Sequence, residues 1–360
     1  MKNRMEGRIP GTKSLFFITF VRILYRMVIN MIEHLQCVFN KGLALFRHTE
    51  RRMGKLLFVI FRIAFLICVG YIVIYPLFHM LTTSIQSKYA FLNSTRIWIP
   101  NDLNIKGNYQ TAILCLDYAT SLISTFKNEL IAALIQVGSC AIAAYGFARF
   151  EFKGKRLKLA LLVLTIIVPD TMLLIPRMAS YSHLDFLGLL GLLNRFTGID
   201  LRPRILNTVL TFWLPALFGV GLKSGMLIYI YIQFFKGLPK ELEEAAWVDG
   251  AGPVRTFLSI AIPSSGVVII TVTIFSVIWH WNDSVLGGLY LTDEYPLAVQ
   301  ITRLQALLGN KAGLLFGPRD PESMAIVMAA CVLFVAPMLI MYMILQKWFI
   351  ESIDRVGITG

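Results

Sequence analysis

Charge is what this sequence has least of. Only 15% of its 360 residues are Asp, Glu, Lys or Arg, whereas soluble domains carry about a quarter. That shortage argues against a pair of ordinary soluble domains. Cysteine is also scarce. Cys37, Cys68, Cys115, Cys140 and Cys331 form no C-x-x-C pair, so neither a disulfide framework nor a zinc site is expected. They read as small buried hydrophobes. The strings H-E-x-x-H and G-x-S-x-G are absent, which removes the common hydrolytic signatures. No G-x-x-x-x-G-K-[ST] phosphate loop occurs. The nearest string, Gly7–Ser14, has the wrong spacing and no strand-to-helix context. No internal repeat or low-complexity tract is visible. The chain is therefore expected to be no enzyme, to hold no metal and to bind no cofactor of its own.

What the sequence does have is long apolar runs. Hydrophobic residues make up 56% of it, and the mean hydropathy is +0.67. A helix needs about 20 apolar residues to cross a bilayer. Six runs qualify, at about Leu56–Leu81, Leu122–Ala148, Leu157–Tyr181, Leu206–Phe235, Pro263–Trp281 and Met324–Trp348. Arg62 lies near the start of the first and is placed to snorkel. Pro76 is expected to kink its outer end. Pro169 and Pro176 interrupt the third. The fold expected is all-α, a polytopic membrane protein of six spans, with both termini on one side.

Basic residues choose that side. The net charge is +13, and the Lys and Arg crowd the ends of apolar runs, so lipid headgroups explain them better than nucleic acid does. One set of loops, with the tail, holds 21 of the 34 and the opposite set holds 9. The richer face is cytoplasmic by the positive-inside rule. It includes both termini and the loop of residues 237–263. Residues 1–55 read as a separate basic extension. Within Ser14–Phe46, Phe16, Phe20, Ile23 and Met27 recur at helical spacing while Arg22 and Arg26 take another face. An amphipathic helix in the inner interface is expected. A seventh span there would bury both arginines, at about 2.5–3.5 kcal/mol each. Charges break the core that a secretory signal would need.

The loop Leu238–Pro263 reads LPKELEEAAWVDGAGPVRTFLSIAIP. Its punctuation makes two short helices with a turn between them. Pro239 fits a first helical position, and Glu241, Glu243 and Glu244 favour the positive helix start. Gly250 is suited to the left-handed conformation that ends a helix, and Pro253 opens the next. Leu238, Leu242, Ala245 and Ala246 are expected on one face, with the acidic residues on another. A helical hairpin jutting from the membrane reads as a docking element.

These residues resemble the signature loop of ABC-importer permeases, E-A-A-x-x-x-G followed by I-x-L-P. Here the pattern is Glu244-Ala245-Ala246, Gly250 and Ile260-Ala261-Ile262-Pro263, with isoleucine for the usual leucine. Asp249-Gly250-Ala251 and Phe257 resemble the carbohydrate-uptake branch, whose familiar members are the maltose permeases. The likeness covers most of the chain after residue 56. It includes Trp98–Pro100 with Asn108-Tyr109, Ala144–Gly154, Val168–Asp170, Ile175–Arg177, Trp281–Asp283 and the tail Val356–Gly360. Tyr75–Leu77 and Tyr295–Leu297 lean toward the complex-oligosaccharide sub-branch. There are departures: a long N-terminal extension, Lys127–Leu130 where relatives often show Asn-Ser-Leu, and a tail without the usual lysine.

The resemblance implies a permease subunit of an ATP-driven, binding-protein-dependent sugar importer in the bacterial cytoplasmic membrane. Glu243, Glu244, Ala245, Ala246, Asp249, Gly250 and Ala251 would couple to a cytoplasmic ATPase dimer, which binds the ATP and Mg. The remaining partners implied are a second six-span permease and an extracytoplasmic binding protein, contacted through the loop Asp283–Glu322. Substrate-pathway residues are fainter. Trp279, Trp281 and Asn282 suit a sugar face, and the two tryptophans equally suit the interfacial aromatic belt. Asp170 is either functional, as intramembrane carboxylates tend to be, or satisfies donors freed by Pro169. His79, His183 and His280 are scattered and read as interfacial. The alternatives are the same architecture carrying an amino acid, peptide or ion, and an ion-coupled secondary transporter. The latter would need intramembrane ionisable pairs and usually an internal repeat, and neither is visible in the sequence.

Overall fold

The computed structural model of the protein describes residues 52–87, 102–185, 188–198, 200, 202–312 and 321–357. The amphipathic segment Ser14–Phe46, the motif Trp98–Pro100, part of the loop Asp283–Glu322 and the last residues of the glycine-rich tail lie outside them. Among the described residues there is no strand beyond an isolated bridge between Gln86 and Leu103. The chain forms two compact units, Met1–His79 and Met80–Gly360.

Helix α1 (Arg52–Ser84) runs through Pro76 without interruption. In the first unit its side chains are bare and apolar, Phe61, Ile67 and Ile72 among them, as lipid-facing residues should be. Phe61 stacks on Phe65, and Tyr75 on His79.

The second unit is built around α3 (Tyr118–Arg149), the second span. It follows α2 (Ile105–Leu116), a helix tied down by Asn108. The Asn108 amide donates to the carbonyls of Ser84 (2.9 Å) and Gln86 (2.8 Å), which fall where a helix end leaves acceptors unpaired. Along α3, the buried small residues Ala132, Ala133, Cys140, Ala141 and Ala144 form a stripe at helical spacing. Small residues let neighbouring backbones approach closely in a membrane. One turn of α3, Thr125–Leu130, is a π-helix.

The third and fourth expected spans are broken, for local reasons. In the third, α4 (Lys155–Ile167) stops before Pro169, which cannot donate to the helix ladder. A 3-10 turn (Asp170–Leu173) and α5 (Leu174–Ser182) follow, bent 99° from α4. The connection after α5 carries α6 (Leu189–Thr197) between two left-handed glycines. The fourth divides into α7 (Leu210–Leu217) and α8 (Ser224–Gly237). Gly219 and Lys223 take positive φ between them, and Pro215 removes a donor from α7. The expected fifth is the single helix α11 (Gly266–Trp281), which α10 (Pro253–Ser264) meets across an 82° bend at its start. Among the described residues, Phe58–Ser84, Tyr118–Arg149 and Glu322–Ile344 are the continuous spans, and the two bent pairs raise the number to five. The fourth apolar stretch of the hydropathy reading corresponds to the divided pair α7 and α8. The connection after α11 holds α12 (Val285–Tyr290), α13 (Leu297–Thr302) and α14 (Leu304–Ala312) before α15 (Pro321–Gly357).

Three buried clusters fill the second unit. The largest joins Cys140, Ala144 and Tyr145 of α3 to Leu227, Tyr231 and Phe235 of α8 and to Phe257 and Ala261 of α10. Another packs Trp281 with α2, α14 and α15, and a third packs Phe212 with Tyr290.

Candidate functional site

The hairpin consists of α9 (Glu241–Val248), a glycine turn and α10. Pro239 precedes the helix rather than opening it, because Lys240 accepts the first helical bonds from Glu243 and Glu244 (both 3.0 Å). The C-terminal end is a Schellman motif: Gly250 N–H donates to Trp247 (3.0 Å) and Ala251 N–H to Ala246 (2.9 Å). Gly250 has φ +80°, the conformation that glycine adopts without a Cβ penalty. Pro253 opens α10 after an extended Gly252, and Thr256 Oγ1 donates back to the Gly252 carbonyl (3.1 Å).

Two contacts fix this hairpin to the spans. Tyr145, Phe235 and Phe257 form an aromatic knot with Tyr145–Phe257 centroids 4.9 Å apart. At the last residue of α3, Arg149 Nε donates to Glu243 Oε1 (2.8 Å), and its Nη2 donates to the Leu238 carbonyl (2.9 Å). The two side chains are only 5% and 4% exposed. A buried guanidinium needs a paired carboxylate, and the fork geometry of arginine serves two acceptors at once. Close by, a hydrogen bond from Lys155 to Glu151 (2.7 Å) holds that exposed carboxyl below its usual range.

This changes the expected faces of α9. Glu243 points inward as the counter-ion of Arg149, so it is an anchor and not an exposed contact. Leu242, Trp247 and Val248 point outward, and Val248 is 88% exposed. Val254 and Leu258 extend the apolar strip onto α10. Glu244, Ala245, Asp249 and Gly250 are exposed around it, and Ala246 and Ala251 half-buried. The turn therefore offers an apolar strip with an acidic rim on a surface expected to face the cytoplasm, where no lipid covers it.

The expected pathway residues disperse. Trp281 is buried in the core, edge-on to Phe126 and tilted against Phe334, so it packs the protein and lines nothing. Trp279 stacks on Phe275 and lies under the Lys223 ammonium, 4.9 Å from its centroid. Asn282 is exposed and caps α11, its amide donating to Ile278 (2.8 Å). Asp170 pairs with Arg177 at 3.9 Å.

A small pocket forms instead between α5, α7, the break before α8, α11 and α12. Arg177, Tyr181, Thr211, His280 and Tyr290 supply its polar lining. His280 is the residue that sequence reasoning misplaced. It is buried, not interfacial, because Ser276, Val277, His280 and Trp281 share the inward face of α11. It meets Glu129 of α3, so the second unit holds an intramembrane ionisable pair that the sequence did not reveal. The signal available was the departure at Lys127–Leu130, which places a carboxylate inside an apolar run. Among the described residues no cluster of His, Cys, Asp or Glu could hold a metal ion.

Residues 136–355 match the family model described as the binding-protein-dependent transport system inner membrane component. The osmoprotective compounds uptake permease of Synechocystis sp. is 27% identical over 264 residues, covering 72% of this chain and 77% of the relative. The melibiose/raffinose/stachyose import permease of Bacillus subtilis is 26% identical over 289 residues, covering 79% and 91%. Among solved structures, a chain of a bacterial ABC transporter involved in import of the acidic polysaccharide alginate superimposes with a TM-score of 0.58 at 19% identity, covering 84% of this chain and all of that one. The last likeness is one of fold.

Proposed function

The chain belongs to the family of binding-protein-dependent transport system inner membrane components, and from that premise we propose that it forms half of the translocation pathway of an ATP-driven importer for a sugar or oligosaccharide. The carrying observation is the anchored hairpin. A turn held by Arg149 and by an aromatic knot presents Trp247, Val248 and Glu244 outward as one stiff body. Such a body transmits a push from a bound partner to α8 and α11, to which it is directly continuous.

In this reading the partner is an ATPase dimer that binds ATP and Mg, and this chain performs no catalysis. Closure of that dimer moves the hairpin, and the spans switch the cavity between its two faces. ATP biases the two states through its different affinity for them. A second permease completes the pore, an extracytoplasmic binding protein delivers the solute, and both termini lie in the cytoplasm. Carbohydrate cargo is supported by the import named for the Bacillus subtilis relative.

The test is uptake into proteoliposomes that hold the full complex. The reading expects uptake that requires ATP and is blocked by vanadate. Uptake driven by a proton or sodium gradient alone would overturn it. Thermal-shift screening of the binding protein against sugars, amino acids and peptides then identifies the cargo class.

A further inference from the structure

Between the hairpin and the outer loops, three spans meet at a chain of buried polar side chains. Glu129, Gln136 and His280 are 1%, 0% and 4% exposed. His280 Nδ1 lies 2.9 Å from Glu129 Oε2, and His280 Nε2 lies 2.7 Å from Gln136 Oε1. Gln136 Nε2 donates to the Leu222 carbonyl (2.7 Å) and to Ser224 Oγ (2.8 Å). These last two acceptors sit at the break between α7 and α8, where the backbone has lost its helical partners. Intramembrane breaks persist where a neighbouring side chain replaces those bonds.

The protons along this chain follow from donor and acceptor chemistry. A backbone carbonyl only accepts, so the Gln136 nitrogen must face Leu222 and its oxygen must face His280. That oxygen also only accepts, so His280 Nε2 carries a proton. At the other ring nitrogen, a bare Nδ1 against a bare carboxylate would oppose two lone pairs at 2.9 Å. One further proton has to lie between Nδ1 and Oε2, on either atom. The pair then has no net charge in either arrangement, which suits its burial.

The surroundings are built to this contact. Glu129 belongs to the π-turn of α3, and one extra residue in a turn rotates the following helix face by about 100°. It stands on the same buried stripe as Ala132, Ala133 and Gln136. Gly221 leaves room for Gln136: a Cβ there would lie 3.2 Å from Gln136 Oε1 and 3.3 Å from the Ala216 Cα. Ser276 Oγ donates to the Ala133 carbonyl (3.1 Å), a second tie between α11 and α3. The charged groups facing the pair are Asp283, which follows α11, and the Asp170–Arg177 couple beyond the pocket.

We propose that Glu129 is a positioning residue that shares one proton with His280 and thereby latches the second span to the fifth and, through Gln136, to the break in the fourth, so that the three move as one body during transport. The importer reading enters only through the activity assay below.

The substitutions separate a shared proton from a charge. In Glu129→Gln the side-chain amide donates to Nδ1 and keeps the latch, whereas Glu129→Ala removes the donor. In the reconstituted complex, Glu129→Ala is expected to lose ATP-driven uptake by at least about tenfold, with the ATPase subunits still co-purifying. Glu129→Gln is expected to retain most of it. As pH rises, wild type loses the shared proton and its activity falls, while the Gln variant, which cannot be deprotonated, stays flat. A Gln variant as defective as Ala, an unaffected Ala variant, or identical pH profiles for Gln and wild type would each overturn the proposal. An assay-independent measurement uses the full chain labelled with nitrogen-15 histidine, assigned by comparison with His280→Gln. Protonated Nε2 in His280 is expected, and a bare Nε2 would overturn the latch whether or not the importer reading stands.

Discussion

Helix α3 carries a buried ionisable contact at each of two levels, and the two are built on opposite principles. At its C-terminal end, Arg149 meets Glu243 through a guanidinium that stays charged at any physiological pH. Farther along, Glu129 meets His280 through a contact that needs one proton and has no net charge. The first joins a span to the hairpin, where each buried charge has its counter-ion. The second joins spans to one another away from water, where neutral partners are cheaper to bury. The same helix thus uses a permanent ion pair where it anchors the hairpin and a neutral contact where spans meet.

The largest way to break this comparison is to remove one partner of the Arg149–Glu243 pair. Arg149→Ala or Glu243→Ala leaves a buried charge alone, with an expected loss of about 3–5 kcal/mol in the local fold. Hydrogen exchange across residues 238–250 should rise and the ATPase subunits should no longer co-purify. The double variant Arg149→Met with Glu243→Leu should be milder than either single change, because it removes both charges together. Next comes Gly250. No atom lies within 4 Å of an added Cβ, so Gly250→Ala should cost only the left-handed penalty of about 1–2 kcal/mol, read as a lower unfolding midpoint. Gly250→Trp adds bulk at the docking surface, and ATP hydrolysis should no longer drive uptake.

Smaller still is Glu244→Arg. Its side chain is exposed, so thermal stability should stay within about 0.5 kcal/mol while coupling to the ATPase is lost. Adjacent glutamates would then separate cleanly: Glu243 as a matter of folding and Glu244 as a matter of docking. The smallest effect concerns the outer loop. Hydrogen bonds from Arg202 hold the exposed Asp200 at about 2, below the ordinary value of about 3.9. Any stability this adds is present above the ordinary value and lost as pH falls toward 2. Arg202→Ala should move the Asp200 titration up in an NMR experiment and leave the neutral-pH unfolding midpoint where it was.

Much of this architecture is legible in the sequence, and what is not has physical causes. Hydropathy averages over a window, so it finds six apolar stretches but passes over the breaks at Pro169 and at Gly219–Lys223. Gly250 and Pro253 mark the hairpin because their backbone preferences act locally. The orientation of α9 is not local. Whether Glu243 or Glu244 faces inward depends on Arg149, which is brought near by the packing of α3 against α8. His280 is hidden for the same reason: its partners lie on a different span, and only the fold shows that they meet. Trp281 looked like a sugar platform because of its neighbours in sequence, and the core claims it because of its neighbours in space.

The 99° bend after α4 also bears on how the chain is made. With 13 residues, α4 is about 20 Å long, short of the hydrocarbon thickness of about 30 Å. Such a segment is a poor candidate for release into lipid by itself. During synthesis it should wait at the insertion machinery until α8, which it touches at Gly225, emerges beside it, which makes the order of helix arrival, and not only their hydropathy, part of what determines a correctly threaded permease.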